Sequence, residues 1–286
     1  MTGTVAGLCR GALVDMPQVV KSHLFILCPN NSGSTFLGTA MALSRKVWSL
    51  PREGQHTAGF KGPHTLASAE PLIWGASADR RARYTNPAAY DWDTTRRAWY
   101  FSATAHDSAA PVFLTRSPPF LMIRDQLEAA FPASRFLLML RNPFAAIEGI
   151  LRRRSKIAIG TGETLEVLAA RHIRYCFEQQ DRNRIALGPR AMLTPYEAMC
   201  RDPARTAARI MAHVPEIDDL DLAVSVPVKG MYHEPLRDMN HEQIARLSPG
   251  QIGTIQAELR PIEGLLARYG YALDDPAAFS PSAAMV

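Results

Sequence analysis

Two short apolar runs, His23–Cys28 (HLFILC) and Arg135–Leu140 (RFLLML), interrupt a chain whose other hydrophobic residues mostly recur at helical spacing. Near-continuous apolar runs of this length, bounded by turn residues, predict strands covered on both faces of a parallel sheet. Val112–Leu114 and Ala191–Leu193 predict shorter strands. Helical spacing covers Thr35–Ser44, Pro119–Phe131, Phe144–Arg154, Leu165–Ile185, Pro203–His213, His241–Leu247 and Gly250–Tyr269, while Val224–Tyr232 reads as an extended loop. Strands alternating with helices imply an α/β fold with a central parallel sheet and helices on both faces. Ligands of such sheets bind beyond the carboxyl ends of the strands. Asn30–Thr35 and Arg141–Pro143 both fall at that edge, so two unrelated loops can meet at one ligand.

Residues 1–22 read as a weakly ordered lead-in and 23–286 as a single domain. From about 48 to 110 the chain is irregular, and its second half is aromatic: Trp74, Tyr84, Tyr90, Trp92, Trp99, Tyr100 and Phe101. Segments this long inside a compact domain form functional lids or carry short helices of their own. This one is the expected lid or acceptor-binding insertion.

Composition changes the picture little. A chain of 286 residues with 47% hydrophobic and 21% charged residues is ordinary for a globular domain. A net charge of +5 suits an anionic ligand, but no basic tail or aromatic–basic repeat is present, so nucleic acid is not expected as a partner. The four cysteines, Cys9, Cys28, Cys176 and Cys200, are far apart and lack metal-ligand spacing, which suits free thiols in a reducing compartment. With no secretory signal and no long apolar span, a cytoplasmic protein without a membrane span is expected. No metal is expected, and a homodimer is left open.

The loop Pro29-Asn30-Asn31-Ser32-Gly33-Ser34-Thr35 lies between a buried strand and a helix. Amides at a helix start have no intrahelical partner, and the helix dipole adds positive potential there. Gly33 lets the backbone approach an anion, and the hydroxyls add donors. Taken alone, the loop reads equally well as a phosphate cradle or as an ordinary polar turn with a Ser/Thr cap. It is not a Walker A loop, because it contains no lysine.

Asn31-Ser32-Gly33-Ser34-Thr35-Phe36-Leu37 resembles the 5'-phosphosulfate loop of sulfotransferases, which usually opens with Lys or Arg. Arg116-Ser117-Pro118-Pro119 resembles the Lys-Ser-Pro-Pro of many bacterial members. Phe131–Phe136 leading into Leu140-Arg141-Asn142-Pro143 is similar to the family's 3'-phosphate element, and Tyr196-Glu197-Ala198-Met199 to its Tyr-Glu-Asp-Leu box. Val228-Lys229-Gly230 stands where the family has a late basic loop. Order and spacing hold from about Leu24 to Tyr271.

The resemblance implies a P-loop-like three-layer sandwich and transfer of a sulfonate from 3'-phosphoadenosine 5'-phosphosulfate (PAPS), leaving adenosine 3',5'-bisphosphate. It implies that Asn31, Ser32, Gly33, Ser34 and Thr35 hold the phosphosulfate and that Arg141 holds the 3'-phosphate. Tyr196 would meet the adenine and Lys229 the nucleotide phosphates. The acceptor would be the hydroxyl or amine of a small molecule, carbohydrate or lipid headgroup. Two departures stand out. Asn31 replaces the usual cation, leaving Arg116 to carry the electrostatic load on the leaving group. Gly149 replaces a serine common in the family; one turn on, Arg152, Arg153 or Arg154 can compensate or form a solvated face.

Cytosolic phenol and steroid sulfotransferases place a His two residues after the cation that Arg116 matches, where this chain has Pro118. Tyrosylprotein and some carbohydrate sulfotransferases use a Glu about 20 residues after the first loop, and Glu53 falls there. Glu53 is the expected general base, with His56 as the runner-up. Two other readings remain: a P-loop small-molecule kinase, which the loop without lysine disfavours, and a catalytically weak nucleotide-binding relative, which Asn31 and Gly149 motivate.

Overall fold

The computed structural model describes residues 17–63, 73–131, 133–155, 162–228 and 232–280. Of the expected lead-in, residues 1–16 lie outside the described residues, and Val20 is already buried.

A five-stranded sheet is built from β1 (Ser22–Leu27), β2 (Val47–Ser49), β3 (Val112–Arg116), β4 (Ser134–Leu140) and β5 (Ala191–Pro195), in the order β2-β3-β1-β4-β5. Every pairing is parallel. β1 is buried along its whole length because both of its faces carry core. Phe25 and Leu27 pack with Trp48, Phe113, Phe136 and Leu138 on one face. Leu24 and Ile26 pack with Val47, Val112, Leu114 and Leu137 on the other. This is the expected three-layer sandwich, and its cause is the two-residue period of a strand that has no polar side.

The helices are α1 (Ser34–Met41), α2 (Ala78–Thr85), α3 (Trp92–Thr104), α4 (Arg124–Ala130), α5 (Pro143–Arg154), α6 (Leu165–Leu187), α7 (Tyr196–Arg201), α8 (Pro203–His213), α9 (Asn240–Ile244), α10 (Pro249–Leu259) and α11 (Glu263–Arg268). Most starts are written in the sequence. Asn142 caps α5 by accepting from the N–H groups of Phe144 and Ala145, with Pro143 in the first turn. Ser248 and Gln251 form a capping box on α10.

Several elements differ from the sequence reading, among them β2 (Val47–Ser49), which falls where no strand was expected. Val224–Tyr232 belongs to an antiparallel hairpin of β6 (Ser225–Val228) and β7 (Tyr232–Pro235). The run Gly250–Tyr269 is broken by a 3-10 turn at Arg260–Ile262, where Pro261 removes a helical donor. Pro119–Phe131 begins as a 3-10 turn, Pro118–Met122, for the same reason.

The irregular stretch from 48 to 110 contains α2 and α3, the second capped by Asp91 on the N–H of Thr94. Its aromatics mostly build core. Trp99 stacks on Phe131 at 5.5 Å, and Trp48 stacks on Tyr100 at 5.8 Å. The Tyr100 hydroxyl meets the buried His23 ring at 2.6 Å. Among the described residues, no helix is long and apolar enough to cross a membrane.

Candidate active site

The loop after β1 is shaped by two residues with positive φ, Asn31 at 63° and Gly33 at 86°. Asparagine tolerates that region better than most residues, and glycine does so freely. Ser32 is buried and donates its hydroxyl to the Pro29 carbonyl at 2.9 Å, closing the turn. Gly33 is demanded twice, since a β-carbon there would also lie 2.7 Å from Cδ2 of Tyr196. No side chain caps the start of α1. Its first amides therefore keep their donor capacity for an anion. Beneath the loop, the Ser34 hydroxyl hydrogen-bonds the Cys28 thiol, and burial pushes that thiol up to about 12.

The Asn31 side chain turns away from the loop's mouth. Its Nδ2 donates to the Ala146 carbonyl of α5 at 3.3 Å, and its carboxamide rests against Gly149.

Arg141 follows β4 directly and is buried. Its Nη1 donates to the Asn31 carbonyl at 2.8 Å, its Nε to Asn240 Oδ1 at 2.8 Å and its Nη2 to Gln243 Oε1. The guanidinium stacks over the Tyr196 ring, 4.0 Å from its centre. All its acceptors are neutral, and among the described residues no carboxylate pairs with it. A carboxylate acts on it at one remove. Buried Glu197 accepts from the Asn142 N–H and the Asn240 Nδ2, each at 2.7 Å, and from the Tyr271 hydroxyl at 2.9 Å. Burial raises the Glu197 carboxyl above its ordinary range, while those hydrogen bonds oppose the shift. Tyr196 donates its hydroxyl to the Arg237 carbonyl at 2.7 Å.

Beyond β2, Glu53 and His56 flank a short turn, with Glu53 Oε2 at 3.7 Å from His56 Nε2 and 3.1 Å from Gln55 Nε2. The Gln55 backbone N–H donates to Ser117 Oγ at 3.1 Å, which ties this turn to the end of β3. The Arg116 side chain does not line the cleft; it packs over Gly38 of α1, where any larger residue would collide with the guanidinium. Burial lowers the Arg116 guanidinium, and the nearby Glu53 carboxylate works against that.

These loops enclose a cleft of about 810 Å³ at the carboxyl edge of the sheet. Asn31, Ser32, Gly33, Ser34, Thr35, Glu53, His56, Arg141 and Tyr196 all line it. Lys229 lies outside the described residues. Of the aromatics expected between 74 and 101, only Trp74 reaches it, held by a 2.7 Å bond from its Nε1 to Asn30 Oδ1.

Sequence reasoning gave no role to Glu197, Asn240 or Gln243. The one signal for the last two was their spacing of three residues at a helix start, which puts both on one face. An uncapped helix start facing a buried arginine without a carboxylate partner fits a ligand with two separate anionic groups.

The fold is a parallel α/β sandwich with an uncapped helix start after its first strand and a buried guanidinium after the neighbouring strand. The chain belongs to the sulfotransferase family: the family's model matches residues 23–218. It is an enzyme, a sulfotransferase.

Solved structures agree in fold. The sulfotransferase domain of the olefin synthase from Synechococcus is 18% identical with a TM-score of 0.54, and the match covers 85% of this chain and 97% of that one. A sulfotransferase from Alicyclobacillus acidocaldarius is 16% identical with a TM-score of 0.52, covering 88% and 95%. One from Mycobacterium tuberculosis is 16% identical with a TM-score of 0.50, covering 86% and 77%. No curated protein matches the chain in sequence.

Proposed function

We propose that this sulfotransferase takes its sulfonate from PAPS and passes it to a hydroxyl or amine of a small molecule, carbohydrate or lipid headgroup. The observation that carries this reading is the 2.8 Å bond from Arg141 Nη1 to the Asn31 carbonyl, which joins the two sheet-edge loops at one cleft. Three of Arg141's five N–H groups are used by protein acceptors. One N–H remains on each terminal nitrogen, a pair suited to two oxygens of a 3'-phosphate. The α1 amides and the Ser34 and Thr35 hydroxyls take the phosphosulfate, and the Tyr196 ring borders the adenine.

PAPS supplies an activated sulfonate whose leaving group is a phosphate. In the transfer, the acceptor oxygen bonds to sulfur as the sulfur–oxygen bond to the phosphate breaks. The acceptor's proton passes to Glu53, and the electron pair leaves with adenosine 3',5'-bisphosphate. Glu53 lies on the β2 side, where Gln55 and His56 hold its carboxylate in place. Positioning and fixed dipoles supply most of the acceleration. The segment from 48 to 110 frames the acceptor through Glu53, Gln55, His56 and Trp74.

Calorimetry tests the reading. Adenosine 3',5'-bisphosphate should bind well and ATP poorly. Arg141→Ala should weaken the bisphosphate by about 2 kcal/mol or more. Equal binding of ATP, or no effect of Arg141→Ala, refutes it.

A further inference from the structure

Six arginines line the cleft, and two of them, Arg152 and Arg246, also line a second cavity of about 590 Å³. These two side chains therefore stand between the two spaces. Glu148 lies behind them and lines the second cavity alone. Its side chain is only 5% exposed. Its Oε1 accepts from Arg152 Nε at 2.9 Å and meets Arg246 Nη1 at 3.5 Å. Its Oε2 is buried without a hydrogen-bond partner. A carboxylate withdrawn from water with one oxygen unused is costly to keep. Both of its cations are about half-exposed.

Printed contacts place both arginines next to the Arg141 site. Asn31 Nδ2 donates to the Ala146 carbonyl of α5, and the Asn31 carboxamide rests against Gly149. Positions three apart share a helix face, so Arg152 comes next on the face that meets the phosphosulfate loop, one turn further on. Arg246 follows Gln243, which accepts from Arg141 Nη2, and its backbone N–H donates to the Gln243 carbonyl at 3.1 Å. Glu148 engages Nε of Arg152 and one terminal nitrogen of Arg246. Among the described residues, the other side-chain nitrogens of these two arginines have no protein acceptor.

We propose that Glu148 is a positioning residue for the donor, holding Arg152 and Arg246 from behind the cleft as a second grip on the 3'-phosphate beside Arg141. The proposal rests on the donor reading above and extends it. Arg141 has two N–H groups left for ligand, enough for two of the phosphate's three terminal oxygens. The third oxygen falls to a neighbouring cation. Released from Glu148, these long side chains would spread over many rotamers and lose that place. The charge of Glu148 by itself opposes an anionic ligand, whereas its anchoring of two cations favours one. The two effects have opposite signs, so they can be told apart.

Calorimetry with adenosine 3',5'-bisphosphate and with adenosine 5'-monophosphate, which lacks the 3'-phosphate, tests this. Arg152→Gln and Arg246→Gln should each weaken the bisphosphate about tenfold and the monophosphate by less than about twofold. Glu148→Gln keeps the shape and removes the charge. It should weaken the bisphosphate at least about threefold, spare the monophosphate, and add nothing in the Arg152→Gln/Arg246→Gln background. Unchanged or tighter bisphosphate binding in Glu148→Gln overturns the proposal. So does a loss shared equally by the monophosphate, which marks a purely structural role, or a full further loss in the double-arginine background. Thermal melts check folding. Should Glu148→Gln fail to fold, Glu148→Asp, which draws the carboxylate back by one methylene, takes its place with the same expectations. No effect of either arginine variant overturns the proposal as well. Wild-type protein that binds the two nucleotides equally instead overturns the donor assignment, so the two failures are distinct.

Discussion

The carboxamide of Asn31 fills the space that a side chain at position 149 would need: a β-carbon on Gly149 would lie 2.9 Å from Asn31 Cγ and Nδ2. Asn31 and Gly149 are the two places where the chain departs most clearly from the pattern it resembles, and they are one feature. The smaller residue on α5 makes room for the loop residue to fold back onto the Ala146 carbonyl.

Gly149→Ser should therefore destabilise the protein by about 1–3 kcal/mol, the usual range for overpacking. Asn31→Gly tolerates the positive φ and removes the obstacle. The double variant Asn31→Gly/Gly149→Ser should be more stable than the two single effects predict, by about 1 kcal/mol. Urea denaturation of the four proteins measures this coupling, and strict additivity would show that the contact carries no energy.

Glu197 acts on the ligand through Arg141, by way of Asn240. Glu197→Ala strands the Asn142 N–H, the Asn240 amide and the Tyr271 hydroxyl in a buried space, at about 1–3 kcal/mol for each group left unsatisfied. Glu197→Gln keeps most acceptors. Glu197→Ala should lower both the melting temperature and the affinity for adenosine 3',5'-bisphosphate, while Glu197→Gln should retain most of each. Calorimetry and thermal melts decide between this positioning role and a purely structural one, in which affinity would not move.

Glu53 and His56 sit 3.7 Å apart and share one wall of the cleft. If Glu53 is the base, Glu53→Gln should reduce sulfonate transfer about 10²–10⁴-fold, the usual worth of general base catalysis, with nucleotide affinity kept. His56→Ala should cost much less. A larger loss in the His56 variant would pass the role to the imidazole.

His172 gives the stability of the fold a pH dependence. It is fully buried in α6, accepts the Gly75 N–H at its Nδ1 at 3.1 Å and meets the Trp74 ring edge-on at 4.4 Å. Burial holds its pKa down to about 3, from an ordinary 6.5. The folded protein keeps the ring neutral while the unfolded chain protonates it. Its stabilisation is complete above 6.5 and is lost as the pH falls towards 3. The slope is about 1.4 kcal/mol per pH unit for one proton. His172→Gln should flatten the fall of melting temperature below pH 6.5 relative to the wild type.

Four of the five sheet strands were legible because burial on both faces leaves an apolar run, as in Leu24–Leu27; β2, only three residues long at Val47–Ser49, leaves no such run. Helix starts were legible at Asn142, Asp202 and Ser248, where a short polar side chain precedes proline. The hairpin at 225–235 was not, since cross-strand pairing leaves no local mark beyond alternation. The aromatic segment misled about position: aromatic residues suit a core and a ligand wall equally well, and most of them entered the core.

Much was settled by local chemistry. An apolar strand leading through a polar, glycine-containing turn into a helix is spelled between His23 and Met41, while the positive φ of Asn31 and the uncapped start of α1 appear only in the folded chain. The folded chain alone decided which residues face one another. The fold set Asn31 against Gly149, hung Arg141 on Asn240 and Gln243, packed Arg116 over Gly38 and brought six arginines to one cleft. Those contacts join residues about a hundred positions apart, and chain distance carries no information about them until the sheet order β2-β3-β1-β4-β5 brings the loops together.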